Sequence, residues 1–229
     1  MLTVEEALEA ILSDIRVLET ERVEVVGALG RVLAESIVAR REIPPWDNSS
    51  MDGYAVRAED TARGAAELDV VGRIAAGELS SVTLRAGQAM RIFTGAPLPD
   101  GADAVVPQED VDTDGDRVKV RGAVERGAYV RPRGEDLRRC ETVLEAGHAI
   151  GAPEVGMLAT LGCPQVRVYR RPRVAILSTG NELADLGTEP SAAQIPNTNT
   201  YSLMAQVIEA GGQPIGLGVV PDRLEDIEE

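Results

Sequence analysis

The chain has 229 residues, 44% hydrophobic and 27% charged, and its 23 Lys and Arg against 38 Asp and Glu leave a net charge of −15. That charge excludes bulk attraction to nucleic acid or to anionic membranes, and with one Trp, four Tyr and one Phe there is little capacity to stack single-stranded bases. The hydrophobic fraction excludes a disordered chain, and no apolar run approaches the roughly 20 residues of a membrane span.

The acidic opening MLTVEEALEA lacks the basic-then-apolar pattern of a secretory leader, so the expected location is the cytoplasm. Ala7, Leu8, Ile11, Leu12, Ile15 and Leu18 recur at helical spacing, and Thr3 with Glu6 fits a capping box, which predicts an amphipathic helix over residues 3–18. A second short helix is expected at 28–34. The Ile43-Pro44-Pro45 run then forces extended backbone and a domain junction. From 54 to about 129, short β-rich runs at 68–74, 90–93, 104–107 and 117–120 alternate with Gly, Pro and Asp-Gly turn signals, the pattern of a compact β domain. A helix over 153–161 ending at Gly162 and a strand at 166–169 follow. Residues 174–177 form a continuous apolar run, expected for a strand buried on both faces of a parallel sheet. A helix at 200–210, stopped by Gly211-Gly212, and a strand at 214–220 complete a β-α-β unit. The fold class is therefore α/β and β, multidomain. One β-α-β unit leaves a face uncovered, so the fold begun at Arg173 reads as unfinished.

Four segments carry chemical potential. In PPWDNSSMDGYAV (44–56), carboxylates, an amide and hydroxyls sit beside the only Trp, as a polar or metal-binding loop or as an ordinary linker. In FTGAP (93–97), free N–H groups near Thr94 and Gly95 could receive an anion, or the segment is a plain turn. In RPRGEDLRR (131–139), four Arg surround Glu135 and Asp136, which suits a phosphate and a divalent cation or a surface ion-pair network. All but Lys119 of the basic residues are Arg, the side chain with the fixed donor fork. STGNE (178–182) lies at the carboxyl end of a parallel strand, where open α/β sheets bind ligands. Asp222 follows the next strand, so Glu182 and Asp222 form a candidate Mg²⁺ pair, unless Asp222 caps a helix. His148 reads as a structural or surface residue, and Cys140 and Cys163 as buried or inert thiols. No H-E-x-x-H, G-x-S-x-G, Walker or G-x-G-x-x-G motif is present, which leaves oxyanion, carboxylate and metal chemistry or a binding module.

DNSSMDGYAV (47–56), TGAP (94–97), RGED (133–136) and STGNEL (178–183) occur in the order found in the molybdopterin molybdenumtransferases, and the whole chain resembles that family. The resemblance implies insertion of molybdenum from molybdate into adenylylated molybdopterin with release of AMP, and Mg²⁺ as cofactor. It implies catalytic roles for Asp52, Thr94, Asp136 and Glu182, molybdopterin contacts from Arg131, Arg133, Ser178, Thr179, Gly180 and Asn199, and metal ligation by Glu182 and Asp222. Asn197 stands where many relatives carry Asp. The domains implied are a helical and mixed bridging domain (1–43 with 140–171), an inserted β-rich domain (44–139) and an incomplete, three-layer α/β molybdopterin-binding domain (172–229). An elongated homodimer, with Asp52 and Thr94 acting from the second subunit, and an upstream molybdopterin adenylyltransferase are the implied partners. No nucleic acid or membrane is expected. The alternatives are the adenylyltransferase itself, which lacks the first and third motifs, and a molybdopterin-binding scaffold without turnover.

Overall fold

The computed structural model describes residues 2–223, and the chain divides into two compact units, one of residues 38–143 and one of residues 1–37 with 144–229. The first element, α1 (Val4–Asp14), opens on the expected capping box: Thr3 Oγ1 accepts from the Glu6 N–H and the Glu6 carboxylate accepts from the Thr3 N–H. None of its residues is buried, and Leu8, Ile11, Leu12 and Ile15 stay exposed. Strand β1 (Thr20–Glu24) follows. The helix expected at 28–34 is absent. A 3₁₀ turn at Val26–Ala28 gives way to Gly30 at φ +70°, and Val32 and Leu33 bridge to Ala149 and Val168. Two glycines and β-branched neighbours favour this over a helix.

Within 38–143 six strands form one sheet: β2 (Gly53–Val56), β3 (Ala66–Ile74), β4 (Gln88–Ile92), β5 (Ala104–Pro107), β6 (Val111–Asp114) and β7 (Arg117–Val120), in the order β5-β2-β4-β3-β7-β6. Only β3 and β4 run parallel. Tyr54, Val56, Ala104 and Val106 enter one core with Leu68, Ala89 and Val118, while Ala55 and Val105 enter another with Ile74, Met90 and Ile92. Alternate side chains thus fill opposite faces, and β2 and β5 are buried along their whole length. The GYAV end of the first motif, expected as loop, is therefore an interior strand. Gly53 is obligatory in it, because a Cβ there would lie 2.0 Å from the Val106 carbonyl oxygen.

The other unit continues with α2 (Ala152–Thr160), β8 (Gln165–Tyr169), β9 (Arg173–Thr179), α3 (Asn199–Glu209) and β10 (Gln213–Val220). Gly162 at φ +72° follows α2, as a helix stop requires. Strand β8 pairs antiparallel with β1, and β9 pairs parallel with β10, completing the expected β-α-β unit. Helix α3 packs on both β9 and β10, and Met204 closes over Gly216. The expectation of two-faced burial for β9 is overturned. Only Ile176 is buried, and Val174 and Leu177 remain 37% exposed, because among the described residues β9 has a single strand partner. Cys140 and Cys163 are free thiols, Cys140 exposed and Cys163 partly buried. His148 is exposed, with its Nε2 3.5 Å from the Glu154 carboxylate.

Candidate functional site

In the β-rich unit, backbone pairing gathers three motifs that lie far apart in sequence. Ser49 and Asn48 pair with Val130 and Arg131, Asn48 also bridges to Pro97, and the Leu98 N–H donates to the Asp47 carbonyl at 2.9 Å. Asp52 and Thr94 meet directly: one Asp52 oxygen, Oδ1, accepts from the Thr94 N–H at 2.8 Å and from Thr94 Oγ1 at 2.7 Å. The two N–H groups expected to be free for an anion are thus occupied, since the Gly95 N–H donates to the Ser49 carbonyl at 2.8 Å. The Thr94 backbone and side-chain bonds, with the Arg91 charge nearby, hold the Asp52 carboxyl below the usual aspartate range. Hydrogen bonds to the charged form favour ionisation.

Arg91 escaped the sequence reading. Its guanidinium carbon lies 5.1 Å from the centres of both the Tyr54 and Phe93 rings, with Arg73 over Phe93 at 6.0 Å, and Nη2 donates to Gln108 Oε1 at 2.5 Å. The usable signal was its i, i+2 spacing from Phe93 on a strand, which puts both on one face.

The arginine-rich loop is an internal ion-pair network. Arg131 donates through Nε to Glu135 at 2.9 Å and through Nη2 to both Asp136 oxygens at 2.9 and 2.8 Å, and the bonds to Glu135 and then Asp136 raise its pKa further. Arg133 pairs with Glu42 through its side chain and with Asp47 through its N–H at 2.7 Å. An incoming anion would therefore meet Arg131 and Arg133 already facing carboxylates.

In the other unit the strand-end loop leaves β9 beside the end of β10: Thr179 is in register with Val220, and the Gly180 N–H donates to the Val220 carbonyl at 3.2 Å. Asp222 is exposed two residues beyond Val220, so Glu182 and Asp222 leave the same sheet edge. Gly180 has φ +150°, and a Cβ there would stand 2.7 Å from Glu182 Oε2, so glycine lets the glutamate fold back over the turn. The Glu182 carbonyl accepts from the Ile195 N–H at 2.7 Å, joining this loop to 194–199.

Ser178 does not stand open. Its Oγ lies 2.5 Å from Thr200 Oγ1, and Asn197 Nδ2 donates to Thr200 Oγ1 at 2.9 Å. Asn197 and Thr200 are both buried, and neither was selected from sequence as a partner of Ser178; a cluster of Asn and Thr before a helix was the available signal. Thr179 and Asn199 are exposed. Tyr201 donates to Asp185 at 3.1 Å, and burial, then Asp185, raise the pKa of its phenol.

The metal assignment has hard oxygen donors in Glu182 and Asp222, the donor type Mg²⁺ takes, usually as one or two carboxylates completed by water and phosphate. Among the described residues no group of three or more His, Cys, Asp or Glu is placed to hold a metal ion. No described helix is long and apolar enough to cross a membrane.

A β-rich unit that gathers three polar motifs, and a parallel β-α-β element with a polar strand-end loop, define a multidomain protein of mixed α/β and β content; residues 175–229 match the family described as probable molybdopterin binding domain. Residues 2–162 match the MoeA N-terminal region (domain I and II), and the chain belongs to that family. It is 44% identical over 209 residues to the molybdopterin molybdenumtransferase of Nostoc sp. (strain PCC 7120), covering 90% of this chain and 48% of that protein. It is 38% identical over 215 residues to the Bacillus subtilis molybdopterin molybdenumtransferase, covering 90% and 50%. The crystal structure of the molybdopterin biosynthesis moeA protein from Pyrococcus horikoshii OT3 superposes with a TM-score of 0.93 at 37% identity, over all of this chain and 62% of that one. The chain spans about half the length of the curated relatives it matches.

Proposed function

We propose that this chain acts in molybdenum insertion, in which adenylylated molybdopterin and molybdate give molybdenum-molybdopterin and AMP. The observation that carries the reading is the strand-end loop, where Gly180 gives room for Glu182 beside the end of β10, in a segment matched to the molybdopterin-binding family. A ligand phosphate or pterin edge would meet Thr179, the Gly180 turn and Asn199 there, while Ser178 is fixed by Asn197 and Thr200 and sets the turn. Glu182 and Asp222 would hold Mg²⁺, which when bound supplies charge compensation to phosphoryl oxygens. Asp52, kept ionised by Thr94 and Arg91, would orient the substrate or accept a proton. Asp136 would act by orienting Arg131, to which it is bonded. In this reading the chain works as a homodimer in which Asp52 and Thr94 serve the α/β region of the second copy, and it takes its substrate from an adenylyltransferase.

A second reading, binding of molybdopterin without turnover, is favoured by one fact: Arg131 and Arg133, expected to receive the anion, are already paired with Asp136 and Glu42. The two separate on Glu182→Gln. If the loop is catalytic, AMP release falls at least a hundredfold while substrate binding stays within a few-fold. If the chain only binds, no molybdate-dependent AMP is formed by either protein.

A further inference from the structure

At the amino end of β9, within the unit of residues 1–37 and 144–229, four arginines and two glutamates line a cavity of about 520 Å³: Arg31, Arg170, Arg171, Arg173, Glu19 and Glu21. It lies where the β1 and β8 pair gives way to β9 and β10, since Tyr169 pairs with Thr20 and Arg173 with Gln213, another lining residue. The strand-end loop begins past Thr179 at the opposite end of β9. Six residue steps at about 3.3 Å each put roughly 20 Å of strand between them.

The lining carries a surplus of two positive charges in a chain whose net charge is −15. The four arginines are held differently. Arg31, with its side chain only 9% exposed, donates through Nη2 to Glu21 at 2.5 Å and to the Tyr169 carbonyl at 2.7 Å. A guanidinium has five N–H groups, so these bonds fix it without exhausting it. Arg170 pairs with Glu19 at 3.1 Å. Arg171 and Arg173 have no ion pair among the described residues, although acidic side chains outnumber basic ones. They stand two apart across Pro172, which keeps the residue before it extended, and both reach the same cavity.

Two unpaired guanidinium groups beside two anchored ones present planar donor forks, the geometry that suits tetrahedral oxyanions. The surplus of two charges matches a phosphoryl dianion. The volume exceeds a bare phosphate and falls in the range of small-molecule sites. Apart from Leu18, the named walls are polar, so the remainder of the ligand is hydrophilic. We propose that this cavity binds a small phosphate-bearing molecule, its phosphoryl group taken by Arg171 and Arg173 while Arg31 and Arg170 hold the wall. The assignment does not depend on the chemistry of the strand-end loop.

Isothermal titration of the 229-residue chain with ribose 5-phosphate, orthophosphate and ribose tests it. Ribose 5-phosphate should bind once per chain, ribose should give no heat, and the Arg171→Gln/Arg173→Gln double variant should bind at least tenfold more weakly at an unchanged melting temperature. Should the double variant lose its fold, Arg171→Gln alone, outside any strand, should weaken binding at least threefold. Equal affinity for orthophosphate assigns recognition to the oxyanion, and weaker affinity adds a contribution from the sugar; both support the proposal. Absence of binding by both phosphates, affinity unchanged in the folded arginine variants, or loss of binding on Arg131→Gln in the other unit would overturn it.

Discussion

The pairing of Asp52 with Thr94 is the most specific feature in the β-rich unit. Sequence singled out both residues, but nothing along the chain said that they touch across 42 positions. Their contact makes a titration prediction. The Asp52 carboxyl is depressed, chiefly by the Thr94 N–H and then its hydroxyl, so the bonded form is the ionised one. Its stabilising effect is complete above the unfolded aspartate value of about 3.9 and is lost as pH falls through the lower folded value. Thr94→Val removes the hydroxyl bond and keeps the N–H bond, so the Asp52 pKa should rise part of the way back, as read from its carboxyl carbon shift in NMR. At Ser178, Thr200→Val keeps shape and leaves the Ser178 hydroxyl and Asn197 amide without their shared partner. Burying unpaired polar groups costs about 1–3 kcal/mol, measurable as a lower denaturant midpoint.

Among elements, amphipathic and turn-bounded segments were legible. Helix α1 starts at Thr3 as its capping box requires, and β5 and β7 fall on the predicted residues. Two misreadings have physical causes. Local polarity hid β2: DNSSMD precedes it, and its burial comes from β4 and β5 pairing on either side, which are distant in sequence. The run of β9 is as apolar as a fully buried strand, but burial depends on how many neighbours cover it, and its own sequence does not contain that. The same reasoning explains the arginine loop, where composition announced charge and only folding revealed that Arg131 is satisfied by Glu135 and Asp136. Gly53 gives the sharpest element-scale test. Gly53→Ala drives a Cβ into the Val106 backbone, which no side-chain rotation relieves, so a loss of about 3 kcal/mol in equilibrium unfolding is expected.

Across the whole molecule, the two units differ in how deeply their strands are covered. Strands β2 and β5 are buried throughout, while β9 buries only Ile176. Amide hydrogen exchange should follow that contrast, with Ala55 and Val105 among the slowest and Val174 and Leu177 exchanging at least tenfold faster, because local opening is easier where little apolar surface is lost. The acidic charge has a similar whole-molecule meaning. Against a net −15, the arginines that remain unpaired stand out, and those at Arg171 and Arg173 line a cavity, whereas Arg131 and Arg133 are matched by acids of their own unit. Molybdenum insertion through the strand-end loop is tested most directly by AMP release from adenylylated molybdopterin by this chain with and without molybdate. Release should require molybdate and fall at least a hundredfold in Glu182→Gln; AMP release that is independent of molybdate, or unchanged by that substitution, would rule out insertion at this loop.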